Sequence, residues 1–233
     1  MKKAKILFVT ACTLGILTGC SKFDPDGTAI MARKDGDVTA VVMETLDQSY
    51  YDSTELQNLI NQDVAAYNAS AGAENITVKE FEVVNQTANL TMDYASGEDY
   101  AAFNNVTFYT GDVLGAYDAG YDFQTTFQKV EKGNVTDSQV TRQEVLNSYN
   151  YYTVIMEEAM DVQVEGSIVY ASSNVQITGK NTCRVVSSSY ASQTEAEETE
   201  ASTMEDGTVL LSPTSVTAST QDGAKDLAYI LYE

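Results

Sequence analysis

The chain has 233 residues, with 34 acids against 13 lysines and arginines and a formal charge of −21. Such a surface repels polyanions, and the sequence holds no basic stripe, so nucleic acid is excluded as a partner. It contains no histidine, which excludes Ser-His-Asp and Cys-His nucleophiles, His-ligated zinc and His-ligated haem.

The chain opens with Lys2, Lys3 and Lys5, followed by an uncharged run from Ile6 to Leu17. A dozen uncharged, mostly apolar residues match the h-region of a signal peptide and fall short of a bilayer core of roughly 30 Å. Leu17-Thr18-Gly19-Cys20 follows in register. These residues resemble the lipobox of bacterial lipoproteins, which implies cleavage before Cys20 and a covalent diacylglycerol on its thiol, with no other cofactor. The expected mature chain then starts at Cys20 and is held on the extracytoplasmic face of a membrane. Removing residues 1–19 takes away three lysines and no acid, moving the formal charge from −21 to −24. Residues 20–27, with Asp24-Pro25-Asp26-Gly27, read as a lipidated tether. That tetrapeptide is similar to the start of an EF-hand loop, but its glycine comes too early and no glutamate closes the loop.

Residues 28–233 are expected to form a single extracytoplasmic domain. Thr28–Leu46 predicts a β-hairpin turning at Lys34-Asp35-Gly36. Asp52-Ser53-Thr54-Glu55 reads as a helix cap, and Leu56, Leu59, Ile60, Val64 and Tyr67 then recur at helical spacing, predicting an amphipathic helix over 53–69. Ile76–Val84 and Ala88–Tyr94 predict two strands joined by Asn85-Gln86-Thr87. In the second, Asn89, Thr91 and Asp93 form a wet face. Ser96-Gly97-Glu98-Asp99 caps a short helix carrying Tyr100 and Phe103. Val106–Tyr109 predicts a strand and Gly111–Tyr117 a second short helix.

Residues 118–150 read as loops with one short helix at Thr141–Asn147. Tyr151–Glu157, Asp161–Glu165, Ser167–Ala171, Asn174–Thr178 and Thr182–Val186 predict closely spaced strands, as in a meander or small barrel-like sheet. Ser187–Asp206 carries six acids and no base among Ser, Thr and Ala, and predicts a disordered acidic loop. Thr208–Ser212 and Leu227–Tyr232 predict strands that return to the sheet. The fold class is therefore α+β: mainly antiparallel sheet with one clear amphipathic helix and several short ones.

Cys12 leaves with the signal peptide and Cys20 is lipidated, so Cys183 has no intramolecular partner and reads as a strand residue. Six Asn-x-Ser/Thr triplets read as by-products of an Asn- and Thr-rich chain beside a lipobox. Between Gly111 and Phe123, Asp112, Asp118 and Asp122 are the candidate ligands for a hard cation, although their spacing matches no Ca²⁺ loop and Asp112 also suits the first turn of a helix. Fifteen tyrosines and no tryptophan offer rigid, amphipathic contact area. Tyr117, Tyr121, Tyr151 and Tyr152 are the candidate binding residues, set against the half-buried strand positions that β-rich chains favour for tyrosine.

Lys34-Asp35-Gly36 before a strand, the Tyr50–Tyr67 helix, Gly166-Ser167-Ile168-Val169-Tyr170 with Asn174-Val175, and the terminal Ala228-Tyr229-Ile230-Leu231-Tyr232 resemble surface lipoproteins of Gram-positive anaerobes. That resemblance implies no activity and carries over no functional residue except Cys20. The expected function is a non-enzymatic binding or adaptor module that engages a protein, peptide or glycan of the envelope. A structural or assembly lipoprotein without a small ligand, and a carboxylate-dependent hydrolase, are the alternatives.

Overall fold

The computed structural model describes residues 23–47, 52–186 and 226–233. The signal peptide, Cys20, Tyr50, Tyr51, the acidic loop at 187–206 and the expected strand at Thr208–Ser212 lie outside the described residues.

The first hairpin pairs β1 (Ala29–Ala32) with β2 (Val38–Thr45). Its turn needs Gly36, whose φ of 95° lies in the left-handed region that a side chain disfavours. Helix α1 (Ser53–Ala71) starts where Asp52 accepts from the Thr54 and Glu55 amides at 2.8 and 3.0 Å, and ends at left-handed Gly72. Its buried stripe is Val64, with Ile60 and Tyr67 packed against the core. Leu59 departs from the expected face and is 53% exposed, because α1 lies against the edge of the sheet and buries only a narrow stripe.

Strands β3 (Ile76–Val84) and β4 (Thr87–Tyr94) are joined by Asn85 and Gln86, both at positive φ, the geometry of a two-residue hairpin turn. After them come α2 (Gly97–Asn104), β5 (Phe108–Asp112) and α3 (Val113–Asp118). The expected loops in 118–150 give way to a hairpin of β6 (Phe127–Glu131) and β7 (Asn134–Val140) before α4 (Arg142–Leu146). The sequence hides this hairpin for a physical reason. In β6, Phe127 and Val130 point to opposite faces, and β7 is an edge strand whose Val135 is exposed, so neither strand shows an apolar alternation.

The remaining strands are β8 (Tyr152–Met156), β9 (Asp161–Val164), β10 (Ile168–Ser172), β11 (Val175–Ile177), β12 (Thr182–Val185) and β13 (Ala228–Tyr232). They do not form the expected meander. A seven-stranded sheet runs β11-β12-β9-β1-β2-β4-β3, and a six-stranded sheet runs β5-β8-β13-β10-β6-β7. The late strands are thus dealt out between both sheets: β9 pairs parallel with β1, and β8 pairs antiparallel with β5. All other pairings are antiparallel, and the fold is α+β.

The two sheets pack face to face. Ile30, Val38 and Val162 of the first meet Val154, Ile230 and Tyr232 of the second in one apolar core. The opposite face of the six-stranded sheet, with Ile155, Tyr229 and Leu231, lies under Val113 and Ala116 of α3, Val145 of α4 and Phe123. Strand β13 is therefore buried on both faces along its whole length, which is why its sequence is a continuous apolar run. Each such side chain contributes about 1.5–3 kcal/mol by leaving water. No described helix is long and apolar enough to cross a membrane.

Candidate functional site: the outer face of the seven-stranded sheet

Strand alternation divides the seven-stranded sheet into a dry and a wet side. Ile30, Ala32, Val38, Ala40 and Met92 face the partner sheet. The alternate residues of the same strands, among them Met31, Thr39, Met43, Asn89, Thr91 and Asp93, line a groove of about 520 Å³ on the other side. Phe23 and Pro25, immediately before β1, form part of its wall.

A β-bulge shapes the groove. The β3–β4 register shifts between Val78 and Glu80, so an extra residue enters β3. Lys79, Glu80 and Glu82 all line the groove, while Phe81 pairs across with Leu90 and Val78 with Met92. The bulge thereby places the Lys79 ammonium 3.3 Å from Asp93 Oδ2. On the other oxygen of Asp93, the Thr39 hydroxyl donates at 2.7 Å, and Arg33 Nη1 donates to Thr39 Oγ1 at 3.0 Å. Thr39 and Asp93 are direct partners on β2 and β4, so register alone brings them together.

This chain of contacts pairs Lys79 with Asp93 and holds the Arg33 guanidinium on the Thr39 hydroxyl. Arg33 and Asp93 also border a smaller adjoining hollow of about 270 Å³ with Asp37, Glu74, Asn75 and Thr77. There, burial pushes the Asp37 carboxyl upward, Asp35 and Asp93 add to the rise, and Arg33 opposes it. The groove's polar end is thus rich in acid.

One end of the sheet is fixed by Asp99. Only 8% exposed, it accepts from Ser96 Oγ at 2.6 Å, Asn75 Nδ2 at 2.8 Å and Tyr67 Oη at 3.0 Å. Burial alone would raise its pKa, but the three donors outweigh it and hold the carboxyl below its ordinary value. Asp99 so ties α1, the start of β3 and α2 together.

The residues singled out in the sequence lie elsewhere and do not converge. Asp112 is the N-cap of α3, accepting from the Gly115 amide at 2.6 Å, and Asp122 accepts from the Gln124 amide at 2.9 Å. Asp118 ends α3 on the surface. Among the described residues, no group of three or more acids and cysteines is placed to hold a metal ion.

The tyrosines are spread over several surroundings. Tyr117 is exposed on α3, and Tyr121 packs on Tyr109 with centroids 5.5 Å apart. Tyr151 packs on Tyr170 towards the helix-side core. Tyr152 packs on Tyr232 in the inter-sheet core, under the Lys34 ammonium. Adjacent in sequence, Tyr151 and Tyr152 serve opposite faces of the six-stranded sheet.

Cys183 is a strand residue as expected, 1% exposed in β12. Burial, with a smaller contribution from Asp161, pushes its thiol up to about 12, which keeps it protonated and unreactive at neutral pH.

The wet face of Asn89, Thr91 and Asp93 is legible in the sequence. The partners that make it a groove are not, because Thr39, Lys79 and Arg33 arrive through register and a bulge. Comparison with protein-family models, with curated proteins and with solved structures returned no match.

Proposed function

We propose that the chain is a lipid-anchored, extracytoplasmic binding module that holds a neutral, hydroxyl-rich ligand, a sugar chain, in the outer-face groove. One observation carries this reading: both of the groove's cations are engaged within it, Lys79 on the Asp93 carboxylate and Arg33 on the Thr39 hydroxyl, which itself donates to Asp93. What the groove offers a ligand is the hydroxyl of Thr91, the amide of Asn89, which also reaches Glu82 at 3.5 Å, and apolar contact from Phe23 and Met43 over the nearly buried Met31. A few placed polar groups among apolar ones suit a ligand that is polar but uncharged. Two cations against four acids (Asp24, Glu80, Glu82 and Asp93) disfavour an anion there.

The exposed large apolar side chains, Leu59, Val84, Leu114, Val135 and Tyr149 among them, lie on α1, β3, α3, β7 and the segment before β8. They are set on different elements, whereas a protein interface is centred on a cluster of anchors. The anchor part of the reading rests on the Leu17–Cys20 lipobox.

The test is retention of the mature protein on surfaces bearing neutral oligosaccharides, phosphorylated sugars or peptides. Retention on the neutral sugars that falls at least tenfold, about 1.4 kcal/mol, in Asn89→Ala and Thr91→Ala supports the groove. Retention on no sugar surface overturns it.

A further inference from the structure

The groove and the anchor are close together along the chain. Phe23 is already part of the groove wall, and only Ser21 and Lys22 separate it from Cys20. Three residue steps span at most about 10 Å even when fully extended. The polar layer on each side of a bilayer is roughly 5–7 Å thick, the difference between its core and its full thickness. The expected tether of residues 20–27 is therefore much shorter in practice. Phe23, Pro25, Gly27 and Thr28 are all partly buried, and Phe23 and Pro25 belong to the groove.

Resting on the lipid-anchor reading, we infer that the outer-face groove opens against the membrane and takes the sugar headgroup of a neutral glycolipid in the same leaflet. The length of the leash favours this source over a glycan farther out in the envelope, because the groove's rim cannot leave the headgroup region by more than about 10 Å. The charge of the lining selects among headgroups. With Lys79 paired to Asp93, Arg33 held on the Thr39 hydroxyl and four acids in the lining, a phosphate headgroup meets repulsion, while a sugar hydroxyl meets Asn89 and Thr91. Opposite the groove, beyond both sheets, α3 presents Leu114 to solvent, 57% exposed. Packed sheets are about 10 Å apart, so Leu114 lies well beyond the groove from the bilayer.

The experiment uses the lipidated mature protein reconstituted in phosphatidylcholine vesicles. A fluorophore is placed at Glu82→Cys in the groove or at Leu114→Cys on α3, buried Cys183 staying unlabelled. A nitroxide on the lipid headgroup is expected to quench the Glu82→Cys probe at least twofold more than the Leu114→Cys probe. Adding galactosyl-diacylglycerol is expected to raise the anisotropy of the Glu82→Cys probe alone, with phosphatidylglycerol leaving it unchanged. Equal quenching at the two positions in protein whose Cys20 carries lipid overturns the orientation and leaves the anchor standing. Greater quenching without a glycolipid response, or an equal response to phosphatidylglycerol, overturns the headgroup assignment. Mass spectrometry showing Cys20 without lipid overturns the anchor and this inference with it.

Discussion

Thr39 and Asp93 face each other across β2 and β4, joined by a 2.7 Å hydrogen bond on the floor of the groove. Thr39 also accepts from Arg33 and is only 7% exposed. Thr39→Val keeps the shape but leaves a guanidinium and a carboxylate without their shared hydroxyl. The expected loss is about 1–3 kcal/mol of stability, read by urea unfolding, with a parallel fall in sugar retention. Thr39→Ser, which restores the hydroxyl, is expected to recover both.

Asp99 makes stability depend on acid pH. Its folded pKa is depressed, so its contribution is full above its unfolded value of 3.8 and is lost as pH falls below that value. Asp99→Asn removes the charge and so flattens this acid limb, while costing stability at pH 7. Thermal melting from pH 2.5 to 7 checks it: the difference between wild type and variant is expected to shrink below about pH 4. A difference independent of pH would assign Asp99 a purely steric role.

Strand β13 makes the last residues structural. Ile230 is fully buried between the sheets, and Ile230→Ala is expected to cost about 2–5 kcal/mol. The terminal residue is clamped as well: Glu233 and Ser167 exchange backbone hydrogen bonds at 3.1 and 3.2 Å. A Cβ added at Gly166 would collide with the Glu233 carbonyl. Gly166→Ala is therefore expected to lose about 1–3 kcal/mol, whereas Gly27→Ala, with open space around it, should melt with the wild type.

Cys183 reports on the integrity of the inter-sheet core. In the folded mature protein it is expected to resist a thiol reagent, and to react fully once guanidinium unfolds the chain. Rapid labelling without denaturant would contradict its burial.

The lipid anchor has a direct check. Metabolic incorporation of a fatty-acid analogue is expected in the wild type and absent in Cys20→Ala, and equal incorporation would remove the anchor.

The parts of this fold legible in sequence are those governed by local chemistry. Asp52 and Gly72 bracket α1 as caps, and Ala88 to Tyr94 alternates because β4 has one dry and one wet face. What stayed hidden depends on partners distant in sequence. Strands such as β8 and β13 are buried on both faces, so their apolar runs carry no sign of which sheet they join. The β6–β7 hairpin is polar because β7 has only one neighbour. The groove follows the same division: Asn89, Thr91 and Asp93 announce a wet face, but only the bulge at Lys79 and the β2–β4 register add Lys79 and Thr39 to it. Of the tyrosines and acids dense in sequence, Tyr121, Tyr151 and Tyr152 are spent on ring packing and Asp112 and Asp122 on helix or turn capping, while Tyr117 and Asp118 stay on the surface of α3.

Four methionines make the groove directly observable. Met31 and Met43 line it, whereas Met92 and Met156 lie in the inter-sheet core. With methyl-labelled methionine, titrating a neutral oligosaccharide into the mature protein is predicted to shift the Met31 and Met43 resonances and leave Met92 and Met156 in place. Saturating sugar that moves neither groove methyl, or that moves only the core pair, would contradict a sugar site on this face.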